Sequence, residues 1–335
     1  MDVMIQSSDE PIIDHFSVTD VLADDVADVL ADVLADDVTD DVADVVTDDV
    51  TDVLEMADDV ATDVAEQSLF ATQILPEIPP EYIFVIPYRD RIPEKYYFIE
   101  HMQTILVSKK SFRFLFIHQT DSRTFNRGAM KNIGFITTKM HYPTTYKNVT
   151  LIFNDVDTMP KENGLINYET QQGVVKHFYG FRFSLGGIVS IKGNDFERCN
   201  GYPNFYGYAY EDNLLYKRCQ NNGIDIDRSN FFEIGDQRIT HSNRNGPFRT
   251  IRRDEFDRFV ANTTEGIYQI FRLKYTIEQF NDFSGFINVL HFDTPYLDNV
   301  AENVLYDTRI TSQPFKPTTK QVRTAIQPFS RMKFM

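Results

Sequence analysis

The sequence predicts an α/β domain over residues 81–300, preceded by an acidic low-complexity tail. Three observations lead there. Short apolar runs of strand length alternate with segments of helical spacing, the pattern of an α/β fold. Composition changes sharply after the Pro-marked linker ILPEIPPE at 74–81, where aromatic residues become dense. Before that linker, aspartate recurs every fourth residue from Asp20 to Asp52.

The tail comes first along the chain. Asp20, Asp24, Asp28, Asp32, Asp36, Asp40, Asp44, Asp48 and Asp52 are spaced by Val, Leu, Ala and Thr. A period of four drifts by about 40° per repeat on a 3.6-residue helix, so no apolar stripe persists. Asp and Val are weak helix formers, and like charges at i,i+4 repel. Residues 1–75 are therefore expected to be disordered or marginally helical. The repeat lacks the glycine turn and ligand spacing of a calcium loop, which leaves an interaction tail for a protein partner as the other reading.

The tail also distorts the charge balance. The 335 residues carry a net charge of −17, yet residues 1–66 hold 22 acidic residues and no Lys or Arg. The rest has 28 acidic against 33 basic residues, a balance of +5. That suits a phosphate-bearing ligand without requiring nucleic acid. Cys199 and Cys219 are the sole cysteines, which excludes a disulfide-built scaffold and a four-cysteine zinc site. No run of 18 apolar residues suggests a membrane span. The opening MDVMIQSSDE has neither a basic region nor an apolar stretch, so no secretory signal is expected. Reduced thiols and a cytoplasmic setting follow as expectations.

Within the domain, YIFVIPY (82–88), FRFLFIHQ (112–119), VTLIFNDVD (149–157) and GGIVSIK (186–192) read as strands. FNRGAMKNIGFITTK (125–139) has helical spacing, with Met130, Ile133 and Phe135 toward one side. YEDNLLYKRCQNNG (210–223) is a second helix, with Gly223 as its stop. From 301 onward no period is evident, and a loosely packed C-terminal extension is expected.

Five features carry possible chemistry. Asp155 and Asp157 close an apolar strand; in extended backbone, i and i+2 share a face at the sheet's carboxyl edge, where ligands bind. They are either a solvated pair or ligands for a hard divalent cation such as Mn²⁺ or Mg²⁺. Glu211-Asp212 opens a helix after an aromatic loop, either as a capping pair or with a general base. Tyr202, Phe205, Tyr206, Tyr208 and Tyr210 form a sugar-stacking platform or ordinary core. His241 is a metal ligand or a satisfied polar residue. Arg89 and Arg91 grip phosphate oxygens or pair with Asp90 and Glu94.

Taken in order, these motifs resemble the catalytic domain of the animal β-1,4-galactosyltransferase family. The resemblance rests on Ile86-Pro87-Tyr88-Arg89-Asp90-Arg91, Phe125-Asn126-Arg127 with Asn132-Ile133-Gly134-Phe135, and Phe153-Asn154-Asp155-Val156-Asp157 with Pro160. It continues through Gly186-Gly187, Asn200-Gly201-Tyr202-Pro203-Asn204, Gly207 with Glu211-Asp212, and His241-Ser242. It implies a GT-A fold and a metal-dependent, inverting transfer of a hexose, galactose first, from a UDP-sugar to a saccharide hydroxyl. By the same resemblance Pro87, Tyr88, Arg89 and Arg91 cradle the uridine and phosphates, and Phe125 and Arg127 lie against the nucleotide. Asp157, with Asp155 nearby, and His241 meet the metal. Asp212 is the base, with Glu211 beside it, and Gly186 and Gly187 permit close packing beneath the sugar. Tyr208 and Tyr210 fall in the acceptor region. This chain departs from the family in having Tyr208 where a Trp is usual, and Arg238 three residues before His241 where a Met ligand is usual. It also lacks counterparts of the family's disulfide cysteines and membrane anchor, which fits a cytosolic protein of viral or protist origin. The competing reading is a catalytically inactive sugar-binding, nucleotide-binding or structural protein that keeps the fold.

Overall fold

A computed structural model of the chain describes residues 75–106, 111–242, 248–309 and 315. The chain divides into two units, 1–69 and 70–335, and all of the described residues belong to the second. The acidic repeat lies outside the described residues.

The strands are β1 (Tyr82–Tyr88), β2 (Phe112–Gln119), β3 (Thr150–Asn154), β4 (Thr158–Pro160), β5 (Val174–Gly180), β6 (Ile188–Lys192) and β7 (Asp225–Asp227). They continue as β8 (Phe232–Glu233), β9 (Ile239–His241), β10 (Phe248–Ile251), β11 (Phe271–Asn281), β12 (Ser284–Asp293) and β13 (Val304–Asp307). The α-helices are α1 (Ile92–Leu106), α2 (Arg127–His141), α3 (Gly193–Arg198), α4 (Glu211–Asn221) and α5 (Arg253–Val260).

The main sheet runs β11-β12-β2-β1-β3-β6-β5-β7, with β8 also paired to β5. Strands β12, β2, β1 and β3 are parallel to one another; β6 is antiparallel to both β3 and β5. Two short antiparallel ribbons, β4–β9 and β10–β13, flank it.

β1 and β2 are where the sequence pattern and the fold agree most closely. Every residue of β1 is buried, as a central parallel strand covered on both faces requires. Ile83 and Val85 join Met130, Ile133 and Phe135 of α2 in one core; Phe84 and Ile86 join Phe98 and Met102 of α1 in the other. Each fully buried Phe, Ile or Leu stabilises the fold by about 1.5–3 kcal/mol relative to exposure. α2 starts where Asn126 accepts a hydrogen bond from the Ala129 N–H at 2.8 Å, a true side-chain N-cap. α4 stops at Asn221, before Gly223 in the left-handed region at φ 63°.

Two expectations change. The strand over 149–157 ends at Asn154, whose amide donates to the carbonyls of Asp155 (2.8 Å) and Thr158 (2.7 Å) and so closes a turn. The C-terminal extension does not begin at 301, because Val304–Asp307 pairs with β10 and Phe315 packs against Phe256. The β11–β12 hairpin, parallel to β2 through β12, carries no strong sequence signal because β11 is mostly exposed.

Candidate active site

Both aspartates lie in the turn after β3 and not on the strand itself. Asp155 donates its N–H to the Gly187 carbonyl (3.1 Å), and Thr158 N–H returns to the Asp155 carbonyl (3.1 Å). The Asp155 carboxylate meets Arg127 Nη2 at 2.6 Å, whereas Asp157 faces β9. The expectation that both project from one strand face fails, since neither residue is in extended strand geometry.

On the β9 side, the Thr158 hydroxyl donates to Asp157 Oδ1 at 3.2 Å and lies 3.0 Å from His241 Nδ1. Where that hydroxyl donates to Asp157 it accepts from His241 Nδ1–H, the tautomer whose lone pair is on Nε2. Ser242 N–H adds a bond to the Asp157 carbonyl at 2.9 Å. Among the described residues no Lys or Arg forms an ion pair with Asp157. Its carboxyl is pushed up by burial and by the charge of Asp155, partly offset by His241 and Arg91. Asp155 behaves oppositely: burial opposes its ionisation, but Arg127 and Lys131 hold it below the usual carboxylate range.

Asp157 and His241 therefore form a two-residue oxygen–nitrogen donor pair carrying uncompensated negative charge, which suits a divalent cation. No group of three or more such side chains gathers among the described residues. Arg238 does not intrude. Its guanidinium pairs with Asp236 at 2.7 Å and lies over the Phe232 ring at 4.5 Å, directed away by a bonding pattern local to its own turn.

α4 supplies the second pair of acids. Tyr210 is its N-cap and makes no side-chain capping bond. Asp212 turns to Lys131 of α2, with Oδ1 2.9 Å from Nζ. Glu211 is buried with Oε1 3.4 Å from Arg127 Nη1, and its Oε2 has no hydrogen-bond partner. Burial and the adjacent Asp212 push the Glu211 carboxyl up to about 7, against the pull of Arg127 and Lys131. Arg127 thus joins the acid after β3 to the acid opening α4. Burial works against its charge, but Asp155, Glu211 and Asp212 hold it firmly protonated. Gly186 lets α4 come this close: a Cβ there would lie 2.2 Å from Asp212 Oδ2. The same requirement applies at Gly128 of α2, where a Cβ would lie 1.9 Å from the Pro203 carbonyl oxygen.

Several residues expected at the donor are engaged within the fold. Pro87 and Tyr88 are buried in β1, and the Tyr88 ring packs edge-on against Phe116 and Phe286. Pro87 is tolerated because β3 no longer pairs beyond Val85. Arg89 is spent on the 119–124 loop. It donates to the carbonyls of Gln119 (3.2 Å), Asp121 (3.0 Å) and Arg123 (2.6 Å) and lies over the Phe125 ring at 5.4 Å. Arg89 thereby holds the 119–124 loop, and Arg127 is engaged by two carboxylates. Arg91 differs: its Nη1 is 3.8 Å from Glu94, has no hydrogen-bond partner, and its charge reaches Asp157. Phe125 is half-buried, its carbonyl accepting from Gly207 N–H at 3.0 Å.

The aromatic loop splits. Tyr202, Phe205 and Tyr206 are core. Tyr210 stacks on Phe259 at 4.7 Å, while Tyr208 is 42 % exposed. The exposed aromatic surface that the sequence reading missed is Phe181 and Phe183, stacked at 5.3 Å and 48 % and 62 % exposed. Their loop is tied to α4 by Leu185 N–H to the Asp212 carbonyl (2.9 Å) and by the Asn213 amide to the Phe183 carbonyl (3.2 Å). Their F-x-F spacing was the available signal. Lys131 was also missed, because a lysine inside an apolar helix face has no motif. Cys199 and Cys219 are free thiols with sulfurs 3.7 Å apart.

Comparison with known proteins agrees with this geometry. Residues 77–169 match the model of the N-terminal region of glycosyl transferase group 7, and residues 175–242 match that of the N-terminal domain of galactosyltransferase. A xylosylprotein 4-beta-galactosyltransferase of Caenorhabditis elegans is 29% identical over 241 residues, covering 63% of this chain and 80% of that one. Human beta-1,4-galactosyltransferase 7 is 28% identical over 167 residues, covering 47% of this chain and 49% of that one. The chain thus spans about half the length of the human relative. The catalytic domain of Drosophila beta-1,4-galactosyltransferase 7, solved with xylobiose, shares the fold with a TM-score of 0.50 at 20% identity, covering 62% of this chain and 93% of that one. Fold and matches together define a glycosyltransferase of GT-A architecture. More narrowly, the chain belongs to the β-1,4-galactosyltransferase family, as a divergent member.

Proposed function

We propose that this domain transfers galactose from UDP-galactose to a saccharide hydroxyl with inversion, using Mn²⁺ held by Asp157 and His241. One observation carries the reading: acids from two distant segments meet across Arg127, and the Thr158 hydroxyl links Asp157 to the His241 imidazole beside them. Bound Mn²⁺ would supply charge stabilisation for the departing diphosphate. Arg91, with an unpartnered Nη1, is available to diphosphate oxygens. Asp212 takes the proton of the acceptor hydroxyl as that oxygen attacks the anomeric carbon and UDP leaves from the opposite face. Glu211 offers its unpartnered Oε2 to a sugar hydroxyl. Phe181 and Phe183 present ring faces on which an acceptor sugar can stack.

A xylose-ended acceptor is the first to try. The nematode relative is named a xylosylprotein galactosyltransferase, and a Drosophila neighbour was crystallised with manganese, UDP-Gal and xylobiose. The test is UDP release from a panel of UDP-sugars with xylobiose, with and without Mn²⁺. Release should require Mn²⁺, favour UDP-galactose and vanish in Asp157→Ala and Asp212→Asn. Equal turnover in chelator overturns the metal role; UDP binding without transfer to any acceptor favours an inactive binding protein.

A further inference from the structure

Lys131 sits in α2 one turn after Arg127, with a side chain only 2% exposed. Its Nζ lies 2.9 Å from Asp212 Oδ1 and 4.3 Å from the centre of the Tyr202 ring. A lysine removed this fully from water persists only with a partner charge. Arg127 acts on Asp212 only from a distance, because its contacts are with Asp155 and Glu211. The other charged or titratable groups acting on Asp212 are Glu211 from its own helix, His177 from β5, and Tyr202 and Tyr208 from the preceding loop. None of these supplies a fixed positive charge in contact. His177 is buried, and its ring stays neutral at neutral pH, pushed down to about 4 by burial and by Arg228.

We propose that Lys131 is a positioning residue for transfer: it pins Oδ1 of Asp212 and presents Oδ2, lying over Gly186, to the acceptor hydroxyl. The inference rests on the reading of Asp212 as the base. In the step itself the hydroxyl O–H bond breaks and its proton goes to Asp212. The new oxygen–carbon bond forms as the bond to the diphosphate breaks. Lys131 keeps its proton throughout. Its contribution is to fix one rotamer of a partly exposed carboxylate through a charged hydrogen bond.

The test uses the full chain with Mn²⁺, UDP-galactose and xylobiose. Lys131→Met should lower kcat by about ten- to a hundredfold, as for a misplaced catalytic group, with the KM for UDP-galactose little changed. Lys131→Arg, which keeps a charged donor, should restore most of the rate. Where the Met variant does not fold, Lys131→Gln keeps a donor without the charge and should show the same loss of kcat at unchanged KM. A folded Met or Gln variant with wild-type kcat overturns the inference. Asp212→Asn separates the two readings. If it still transfers, the base assignment fails; if it is dead while the Lys131 variants behave as wild type, only the role of Lys131 fails.

Discussion

Gly186→Ala tests the site with the smallest possible change. The backbone permits it, because Gly186 lies outside the left-handed region. The added Cβ would fall 2.2 Å from Asp212 Oδ2 and 2.7 Å from its Cγ. Ordinary contact begins near 3.4 Å, so the carboxylate must retreat by about 1 Å, a displacement that costs about a hundredfold in rate when it falls on a catalytic group. What yields is the end of a side chain, not backbone, so the fold survives. The retreat loosens the bond to Lys131, at about 1–3 kcal/mol for a charged hydrogen bond. At about 2–4 °C per kcal/mol for a domain of this size, Tm falls by several degrees. The assay is initial-rate kinetics on both substrates, with calorimetry on the same preparation. The expected result is kcat down about a hundredfold, KM for UDP-galactose unchanged, and protein still folded. Wild-type kcat in a folded Gly186→Ala protein would refute the placement of the base over Gly186.

Gly187→Ala is the control. Its φ is 74°, and its Cβ would lie 2.3 Å from the Tyr179 carbonyl oxygen in β5. Backbone in a paired strand cannot retreat, and the left-handed conformation adds about 1–2 kcal/mol for any residue with a Cβ. That variant should fail to fold. Adjacent glycines therefore separate chemistry from stability.

Three further outcomes follow from the same contacts. Glu211→Gln should stabilise the ligand-free protein at pH 8 relative to pH 5. The folded-state pKa is raised to about 7, so wild type is most stable below the unfolded value and loses stability as pH rises toward 7, by about 3 kcal/mol; urea unfolding at the two pH values measures this. Arg89→Met strips three carbonyls of the 119–124 loop of their donor and should cost about 2–4 kcal/mol, with the Mn²⁺ dependence of turnover unchanged, as thermal melts and metal titration check. Phe181→Ala and Phe183→Ala should each raise the acceptor KM by about three- to tenfold and leave the donor KM alone, as read from two-substrate kinetics.

What the sequence made legible was whatever depends on local pattern or on order along the chain. β1 and β2 were readable because both faces of each are buried, so apolar runs mark them from end to end. α2 was readable from its internal spacing, and its Asn126 cap confirms the start. The acids after β3, the acids opening α4 and His241 were readable as an ordered series, and the fold brings Asp155 and Glu211 to one guanidinium. What failed depends on partners far along the chain. Arg89 looks like a phosphate ligand until a loop 30 residues away claims its donors. Tyr202 and Tyr206 look like a sugar platform until α2 and the 250s close over them. Asp155 and Asp157 look like one strand face until Asn154 ends the strand.

The charge inventory of the site argues for a cation at one place, independently of any motif. Four carboxylates, Asp155, Asp157, Glu211 and Asp212, face two fixed cations in contact. Arg127 answers Asp155 and Glu211, and Lys131 answers Asp212. Asp157 is the remainder, and burial together with Asp155 raises its carboxyl in the ligand-free protein. Asp157→Asn removes that residual charge while keeping the Thr158 contact, so it should raise the Tm of the ligand-free protein. The same change should abolish the Tm gain that wild type shows on adding Mn²⁺ without UDP, since a ligand bound only to the folded state stabilises it. A variant less stable than wild type without metal, or an undiminished Mn²⁺ response, would show that the surplus charge lies elsewhere and that Asp157 is not the carboxylate a metal answers.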